Sequence, residues 1–495
     1  MKDNRQKKNW SRRCFLKASA GAIGGLAAAP KVFGASSHET RPADPKPNFV
    51  IFLGEGHRAD ALSLAGNGIL KTPHLDRLGR EGMNLPNAFV VNALCSPSRA
   101  TILTGLYSHT TGAIDNRNRP IPPAVPLLSD LFRQAGYEVA CCGKAHVGGG
   151  LRDRYWDYYF GFNSPATNYY RPRLAEGRSG AVGEEKVYDA YVDDLVTERA
   201  AGWLRQKREG PFCLFMLYQA PHGPFYRARR HLDLYNGIPI PKPSSFDDDL
   251  KGYPGKPRAF AEYPNKIGTT NLGDNDPRTL EELVKDYYAG IVAVDESAGS
   301  IMETLSQNGQ LDNTVVLFTS DHGFFLGEWC FYDKRLMHEP SIRVPMLIRY
   351  PKLIKPGLTS ESMVLNLDIA PTLLELAGLS IPPWMQGHSM LPLLKGGEAD
   401  WRKDWLYEYY EYPGAAAARP HRGVRTERYK LIHYYLAPEE FELYDLANDP
   451  GELHNLYGEP PYAELATQLR ERIEALRKET GDVYEGPSFA LKESS

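Results

Sequence analysis

A chain of 495 residues that is 42% hydrophobic and 24% charged has the composition of an ordinary globular protein, with length for about three domains and a large core. Lys plus Arg number 58 against 61 for Asp plus Glu, a formal net charge of -3, so no basic surplus exists to hold nucleic acid. Any affinity for an anionic substrate has to come from cations placed locally.

In chain order, Ser11-Arg12-Arg13-Cys14-Phe15-Leu16-Lys17 comes first, followed by a modest apolar run from Ala18 to Ala29. This order resembles a twin-arginine export signal, assigned to residues 1–35 with cleavage near Gly34 or Ala35. It implies the twin-arginine export machinery as a partner and a periplasmic or secreted bacterial protein. The run is too short for a membrane span, so no stable membrane anchor is expected. Of six cysteines, Cys14 falls in this segment, and the spacing of Cys95, Cys141, Cys142, Cys213 and Cys330 is not that of a disulfide framework.

Asn48–Leu53 is a continuous apolar run ending at Gly54, the profile of a strand buried on both faces. Thr72-Pro73 opens a helix with cap and proline in the expected order. A helix near 127–135 leads into the strand 137–142, and a helix around 191–207 into the strand 212–218. A long periodic stretch, 280–307, leads into the strand 314–319, and 346–349 is a further short strand. Alternation of helices and buried strands predicts an α/β domain over 46–394 with a large, mainly parallel sheet. Between 225 and 279 the chain turns to Pro, Gly, Asp and Lys without periodicity, as expected of a functional loop. Beyond 395 the short runs 405–410, 421–426, 429–435 and 441–446 predict a small antiparallel sheet. With a helix over 462–478 it makes a C-terminal α+β subdomain at 395–485.

The stretch Cys95-Ser96-Pro97-Ser98-Arg99-Ala100-Thr101-Ile102-Leu103-Thr104-Gly105 reads as the tight start of a helix. Ser96 or Ser98 can cap it and Pro97 suits its first turn. A thiolate at Cys95 is favoured by the helix's positive end and by Arg99. The run C-x-P-S-R-x-x-x-L-T-G resembles the signature of the type I sulfatases, in which that cysteine becomes 3-oxoalanine (formylglycine). The polar clusters fall in keeping with this. In an open α/β sheet, ligands bind beyond the carboxyl ends of strands. Glu55 follows the first predicted strand, Lys144 and His146 the one ending at Cys142, His222 the one ending at Tyr218, and Asp321 and His322 the one ending at Thr319. The likeness extends from Asn48 to about Tyr457. It includes Asp333-Lys334-Arg335 and the segment from His421-Arg422 through Ile432, similar to the C-terminal subdomain of bacterial glycan sulfatases.

The resemblance implies an alkaline phosphatase-like fold and a sulfuric ester hydrolase acting on a sulfated glycan. It implies a divalent cation held by Glu55, Cys95, Asp321 and His322, and a formylglycine-generating or radical maturation enzyme as partner. Calcium is foremost, with manganese and magnesium as alternatives. It makes Arg99 the residue that steadies position 95 and His146 the base for regeneration. Lys144, His222 and Lys334 bind sulfate, with His222 or Lys334 protonating the leaving oxygen. His421 and Arg422 are further substrate-binding candidates. One departure stands out: sulfatases usually have Asp-Asp or Asp-Gln after the first strand, whereas here the pair is Glu55-Gly56. Gly56 offers no ligand, and Asp60 is expected to cap or orient the loop. The alternatives are a phosphate or phosphonate monoester hydrolase, and a non-catalytic glycan-binding relative.

Overall fold

The structure, a computed structural model, describes residues 45–486 except 118, 148–150, 152–153, 179–180, 247–254, 268–277, 398–399 and 415. The expected export signal lies outside the described residues. Ten strands form the main sheet: β1 (Asn48–Gly54), β2 (Met83–Asn84), β3 (Glu138–Lys144), β4 (Tyr158–Phe162), β5 (Arg173–Gly177), β6 (Lys186–Val187), β7 (Phe212–Leu217), β8 (Thr314–Ser320), β9 (Met346–Arg349) and β10 (Leu358–Thr359). Their order is β10-β2-β9-β8-β1-β7-β3-β4-β5-β6.

The five central strands, β8-β1-β7-β3-β4, run parallel. The margins are mixed: β9 is antiparallel to both β8 and β2, and β5 is antiparallel to β4 and β6. The expectation of a mainly parallel sheet therefore holds for the centre. The apolar runs of the central strands reflect burial on both faces. Phe49, Ile51 and Leu53 of β1 enter one core, and Val50 and Phe52 enter another. Each such side chain contributes roughly 1.5–3 kcal/mol relative to exposure.

Helices cover the two faces: α1 (Pro73–Glu81), α2 (Cys95–Thr104), α3 (Leu128–Gln134), α4 (Val192–Leu204), α5 (Leu280–Gln307) and α6 (Ile369–Leu376). Residues of α4 and α5 fill the core on the Val50 side, and residues of α2, α3 and α6 the core on the Phe49 side. Thr72 stands at the cap position with Pro73 after it, as predicted, but its side chain makes no cap hydrogen bond. Its hydroxyl donates to Asp76 Oδ1 at 2.9 Å and accepts the Ser63 N–H at 3.0 Å rather than an N–H of the helix's first turn. The 225–279 stretch holds only short helical turns among its described residues, matching the irregular reading.

The C-terminal sheet is the four-stranded antiparallel array β11 (Asp404–Tyr409), β12 (His421–Thr426), β13 (Tyr429–Tyr434) and β14 (Glu440–Asp445), followed by α7 (Ala463–Thr480). Its Trp405, Val424 and Leu431 belong to the same core as Phe89 and Ile102. Glu408 joins the two parts in polar terms. It accepts from the Ser108 backbone at 2.7 Å and from His109 Nδ1 at 2.5 Å, with no exposed surface. Burial opposes a charge on His109, but Glu408 outweighs it and lifts the imidazole to about 9.

With the folded value at about 9 against an ordinary 6.5, the stability contributed by this pair is whole below pH 6.5 and is lost as pH rises through about 9. His109→Ala should lower the unfolding free energy by roughly 3 kcal/mol, since Glu408 is left buried without its cation. Urea titrations of both forms at pH 6 and pH 10 check this: the gap between them should shrink at the higher pH.

Candidate active site

Because β8, β1, β7 and β3 are parallel neighbours, their carboxyl ends lie side by side, and each delivers a polar residue. Glu55 directly follows β1, Lys144 closes β3, and Asp321 directly follows β8. The chain leaving β7 reaches His222 through Gln219 and Ala220, whose N–H groups donate to the buried Asp193 at 2.9 and 3.0 Å. Tyr169 holds the His222 carbonyl at 2.7 Å.

Cys95 is the first residue of α2, after the extended Leu94. Neither Ser96 nor Ser98 caps this helix. Leu94 holds the cap position, Ser98 Oγ accepts from Asn366 at 2.9 Å, and the Ser96 N–H donates to Asn116 Oδ1 at 3.0 Å. A residue outside the signature thus satisfies the helix start, which its local sequence alone does not disclose.

The cluster is tightly bonded. Cys95 Sγ donates to Glu55 Oε1 at 2.9 Å and lies 3.4 Å from His322 Nε2. The other Glu55 oxygen receives Arg99 Nη2 at 2.6 Å and Lys144 Nζ at 2.8 Å. Arg99 Nε reaches Asp321 Oδ2 at 2.9 Å, and its Nη1 donates to the Lys144 carbonyl at 2.6 Å. Asp321 Oδ1 accepts from the Gly56 N–H at 3.0 Å. His322 Nδ1 donates to the Gly323 carbonyl at 2.8 Å, which turns Nε2 toward the carboxylates. Burial by itself would raise the Glu55 carboxyl, yet Lys144 and Arg99 hold it well below the usual carboxylate range. Asp321, by contrast, is raised to about 7 by burial and by the facing Glu55. Burial disfavours charge on His322, but Asp321 lifts it to about 10. Burial and Glu55 push the Cys95 thiol up, while Lys334 and Lys144 bring it well below its ordinary value.

Glu55, Cys95, Asp321 and His322 each offer one ligand atom, all within 4.8 Å of one another. Two carboxylates and an imidazole with a fixed outer hydrogen bond fit a divalent cation, which would also relieve the repulsion that raises Asp321. Gly56 has φ 72, and a Cβ there would stand 3.2 Å from Phe324 Cδ2 and 3.3 Å from His322 Cε1. A side chain there would be strained by the backbone and would crowd both neighbours, so glycine suits this turn. Tyr287 fixes that turn, donating to the Gly56 carbonyl at 2.7 Å and accepting the Arg58 N–H at 2.9 Å. Asp60 orients the following loop as expected, through a two-bond pair with Arg58.

His146 is buried, with neither ring nitrogen hydrogen-bonded to nitrogen or oxygen of the described residues. Burial lowers its pKa, and neighbouring Cys95 only partly restores it. His222 donates from Nδ1 to the Gly223 carbonyl at 2.5 Å, and its Nε2 lies 3.9 Å from Glu55 Oε1. Lys334 is 5% exposed; burial works against its charge, but Cys95 and Asp333 hold it above the ordinary lysine range. His421 and Arg422, expected to bind substrate, make their contacts within and beside the C-terminal sheet. His421 is fully buried among the rings of Tyr407, Tyr409 and Tyr434, with Nδ1 on the Arg419 carbonyl. Arg422 stacks on Tyr435 and donates to the Tyr484 carbonyl at 2.9 Å. As neighbours on β12 they face opposite sides of the sheet, and both sides are covered there. The sequence reading also missed Asn116, Asp193 and Tyr287, which act from positions remote in the chain and carry no local signal.

The strand-end placement and the buried acid–imidazole–thiol cluster make a site on an α/β sheet that could hold a metal ion. A family model described as Sulfatase matches residues 47–379, and one described as N-sulphoglucosamine sulphohydrolase, C-terminal, matches 327–479. The chain belongs to the sulfatase family and is a sulfatase enzyme; the family implies a divalent cation. An N-acetylglucosamine-6-O-sulfatase of Bacteroides thetaiotaomicron is 34% identical, across 88% of this chain and 87% of the relative. An Ulvan-active sulfatase of Formosa agariphila is 29% identical, across 92% and 85%. A solved structure of a protein in complex with its substrate D-glucosamine-2-N,6-O-disulfate superposes with TM-score 0.81 at 32% identity, across 89% of this chain and 99% of that one. The phosphonate monoester hydrolase of Agrobacterium radiobacter, at 23% identity and TM-score 0.72 (88% and 96% covered), shares the fold alone.

Calorimetric titration with calcium, magnesium and manganese should show Glu55→Gln binding the cation more than about tenfold more weakly than the native protein, since a ligand charge becomes a neutral dipole. Gly56→Asp should lower both the melting temperature and the affinity, because strain at φ 72 outweighs the added carboxylate. Equal binding by native and Glu55→Gln forms removes Glu55 from the metal site.

Proposed function

We propose that this sulfatase removes the 6-O-sulfate from a glucosamine-type sugar of a sulfated glycan, with Cys95 matured to formylglycine. The observation that carries the reading is the position of Cys95 at the start of α2, buried among Glu55, Asp321 and His322. The substrate class draws support from the 34% identical N-acetylglucosamine-6-O-sulfatase and from the solved complex with D-glucosamine-2-N,6-O-disulfate. Maturation by a formylglycine-generating or radical enzyme and passage through the twin-arginine machinery belong to the same proposal, as does a periplasmic or secreted location. So does the division into a catalytic part at 46–394 and a C-terminal part at 395–485.

A serine at position 95 would be left as its own stable sulfate ester. A hydrated aldehyde supplies one hydroxyl for attack on sulfur and a second through which sulfate is expelled. The cation, with calcium foremost, would be held by Glu55, Asp321, His322 and the oxygen on residue 95, and would lower the pKa of the attacking hydroxyl. The chain's own side chains do the rest. Arg99 locks Glu55 and Asp321 in place. Lys144 and Lys334 bring positive charge for the sulfate oxygens in a site without bulk water to screen it. His146, neutral because burial depresses it, accepts the proton released as the aldehyde re-forms. His222 or Lys334 gives the leaving oxygen its proton; from His222 Nε2 this requires the imidazolium, because Nδ1 already donates to the Gly223 carbonyl and burial lowers the ring's pKa.

Mass analysis of the peptide carrying residue 95, from protein made with its maturation enzyme, should show the aldehyde. That protein should release sulfate from glucosamine 6-sulfate in preference to an aryl phosphate. An unmodified thiol alongside full activity would sink the assignment. His146→Ala should lower kcat by roughly 10²–10⁴-fold with the fold intact by circular dichroism. Because His146 is depressed from 6.5, the acid limb of kcat should lie below pH 6.5, and a limb above that value removes His146 as the base.

A further inference from the structure

Lys334 stands on a backbone that does not hold itself. Its neighbours Asp333 and Arg335 have φ of 90 and 97, and Trp329 and Cys330 upstream have 50 and 59. None of these is a glycine, and left-handed conformations of such residues persist only where surrounding groups impose them. The groups that do so come from two remote parts of the chain. The Tyr263 hydroxyl, from the irregular 225–279 stretch, donates to the Lys334 carbonyl at 2.5 Å and lies 3.3 Å from the Tyr332 carbonyl. The Tyr407 hydroxyl, from β11, donates to the Arg335 carbonyl at 2.5 Å. Both tyrosines are buried, at 1% and 0% exposure, so water cannot replace either bond.

The Tyr263 segment is itself tied down on both sides. Ile267 N–H donates to the Cys330 carbonyl at 2.8 Å and Tyr332 N–H to the Asn265 carbonyl at 2.9 Å, pairing 265–267 with 330–332. Before it, Lys256 is buried with its ammonium 4.2, 4.5 and 4.6 Å from the ring centroids of Phe260, Trp329 and Tyr444. The same ammonium donates to the Glu452 carbonyl at 2.9 Å.

We propose that Tyr263 and Tyr407 are positioning residues for Lys334: two buried hydroxyls grip consecutive carbonyls and aim the Lys334 ammonium at the reacting sulfate. The proposal rests on the substrate role given to Lys334 above. It gives the long irregular stretch a share in the reaction, as the carrier of one of the two grips, without requiring it to touch substrate.

The test is a double-mutant comparison on the full, matured enzyme. Tyr263→Phe and Tyr407→Phe each delete one hydroxyl and keep the ring. kcat/KM is measured for an aryl sulfate and for glucosamine 6-sulfate, alone and combined with Lys334→Ala, with melting curves to confirm folding. Each Phe variant should lower kcat/KM by about tenfold in the presence of Lys334 and by less than about twofold in its absence, because the hydroxyl then has nothing to aim. A role confined to general stability would give the same loss in both backgrounds, and that result overturns the proposal while leaving Lys334 in its role. No loss beside Lys334 overturns it equally. Full activity of Lys334→Ala removes Lys334 from substrate handling and the proposal with it. Should Tyr263→Phe fail to fold, Tyr407→Phe carries the same comparison.

Discussion

One guanidinium ties the site to the sheet. Arg99, 1% exposed, reaches Glu55 at the end of β1, Asp321 at the end of β8 and the Lys144 carbonyl at the end of β3. These strands reach the site from distant parts of the chain, and nothing but the fold brings their ends together. A planar, permanently charged group with fixed donor directions suits the task in a way an ammonium does not. Burying it is costly, and the cost is offset by the two carboxylates that its guanidinium engages. Charge and fold therefore depend on each other: the sheet positions the acids, and the arginine makes their burial tolerable.

Around that clamp the balance of charge favours an anion. Lys144 and Lys334 add positive charge beside Cys95, while Glu55 and Asp321 are already engaged by Arg99, by Gly56 and by each other's repulsion. A net charge of -3 over the chain says nothing of this. In a dry interior a few fixed charges outweigh many on the surface, because no solvent screens them.

The C-terminal sheet and the irregular 225–279 stretch act as braces. Glu408 grips the Ser108–Thr111 turn, and Lys430 of β13 pairs with Glu339, which precedes the C-terminal sheet, and with Glu452, which follows it. Tyr407 comes from the same strand as Glu408, one residue away, so β11 reaches two regions of the catalytic part at once. Alternation along the strand makes this geometry natural, since adjacent residues face opposite sides.

The sequence by itself determined the elements whose cause is local. Continuous apolar runs at 48–53 and 314–319 declare strands buried on both faces, a 28-residue periodic stretch declares α5, and the signature from Cys95 to Gly105 declares the helix that carries the reacting residue. Because polar residues beyond parallel strand ends must converge, Glu55, Lys144, His222 and Asp321 could be assigned to one site before any contact was seen. Tertiary structure decided what depends on partners far along the chain. It set the antiparallel margins of the sheet, the strain that makes Gly56 a glycine, and the capping of α2 by Asn116. It also buried His421 and Arg422 in the C-terminal sheet, which their local sequence does not disclose. Short motifs specify side chains; whether a side chain faces substrate or core is set by register and by neighbours hundreds of residues away, and that information is not local.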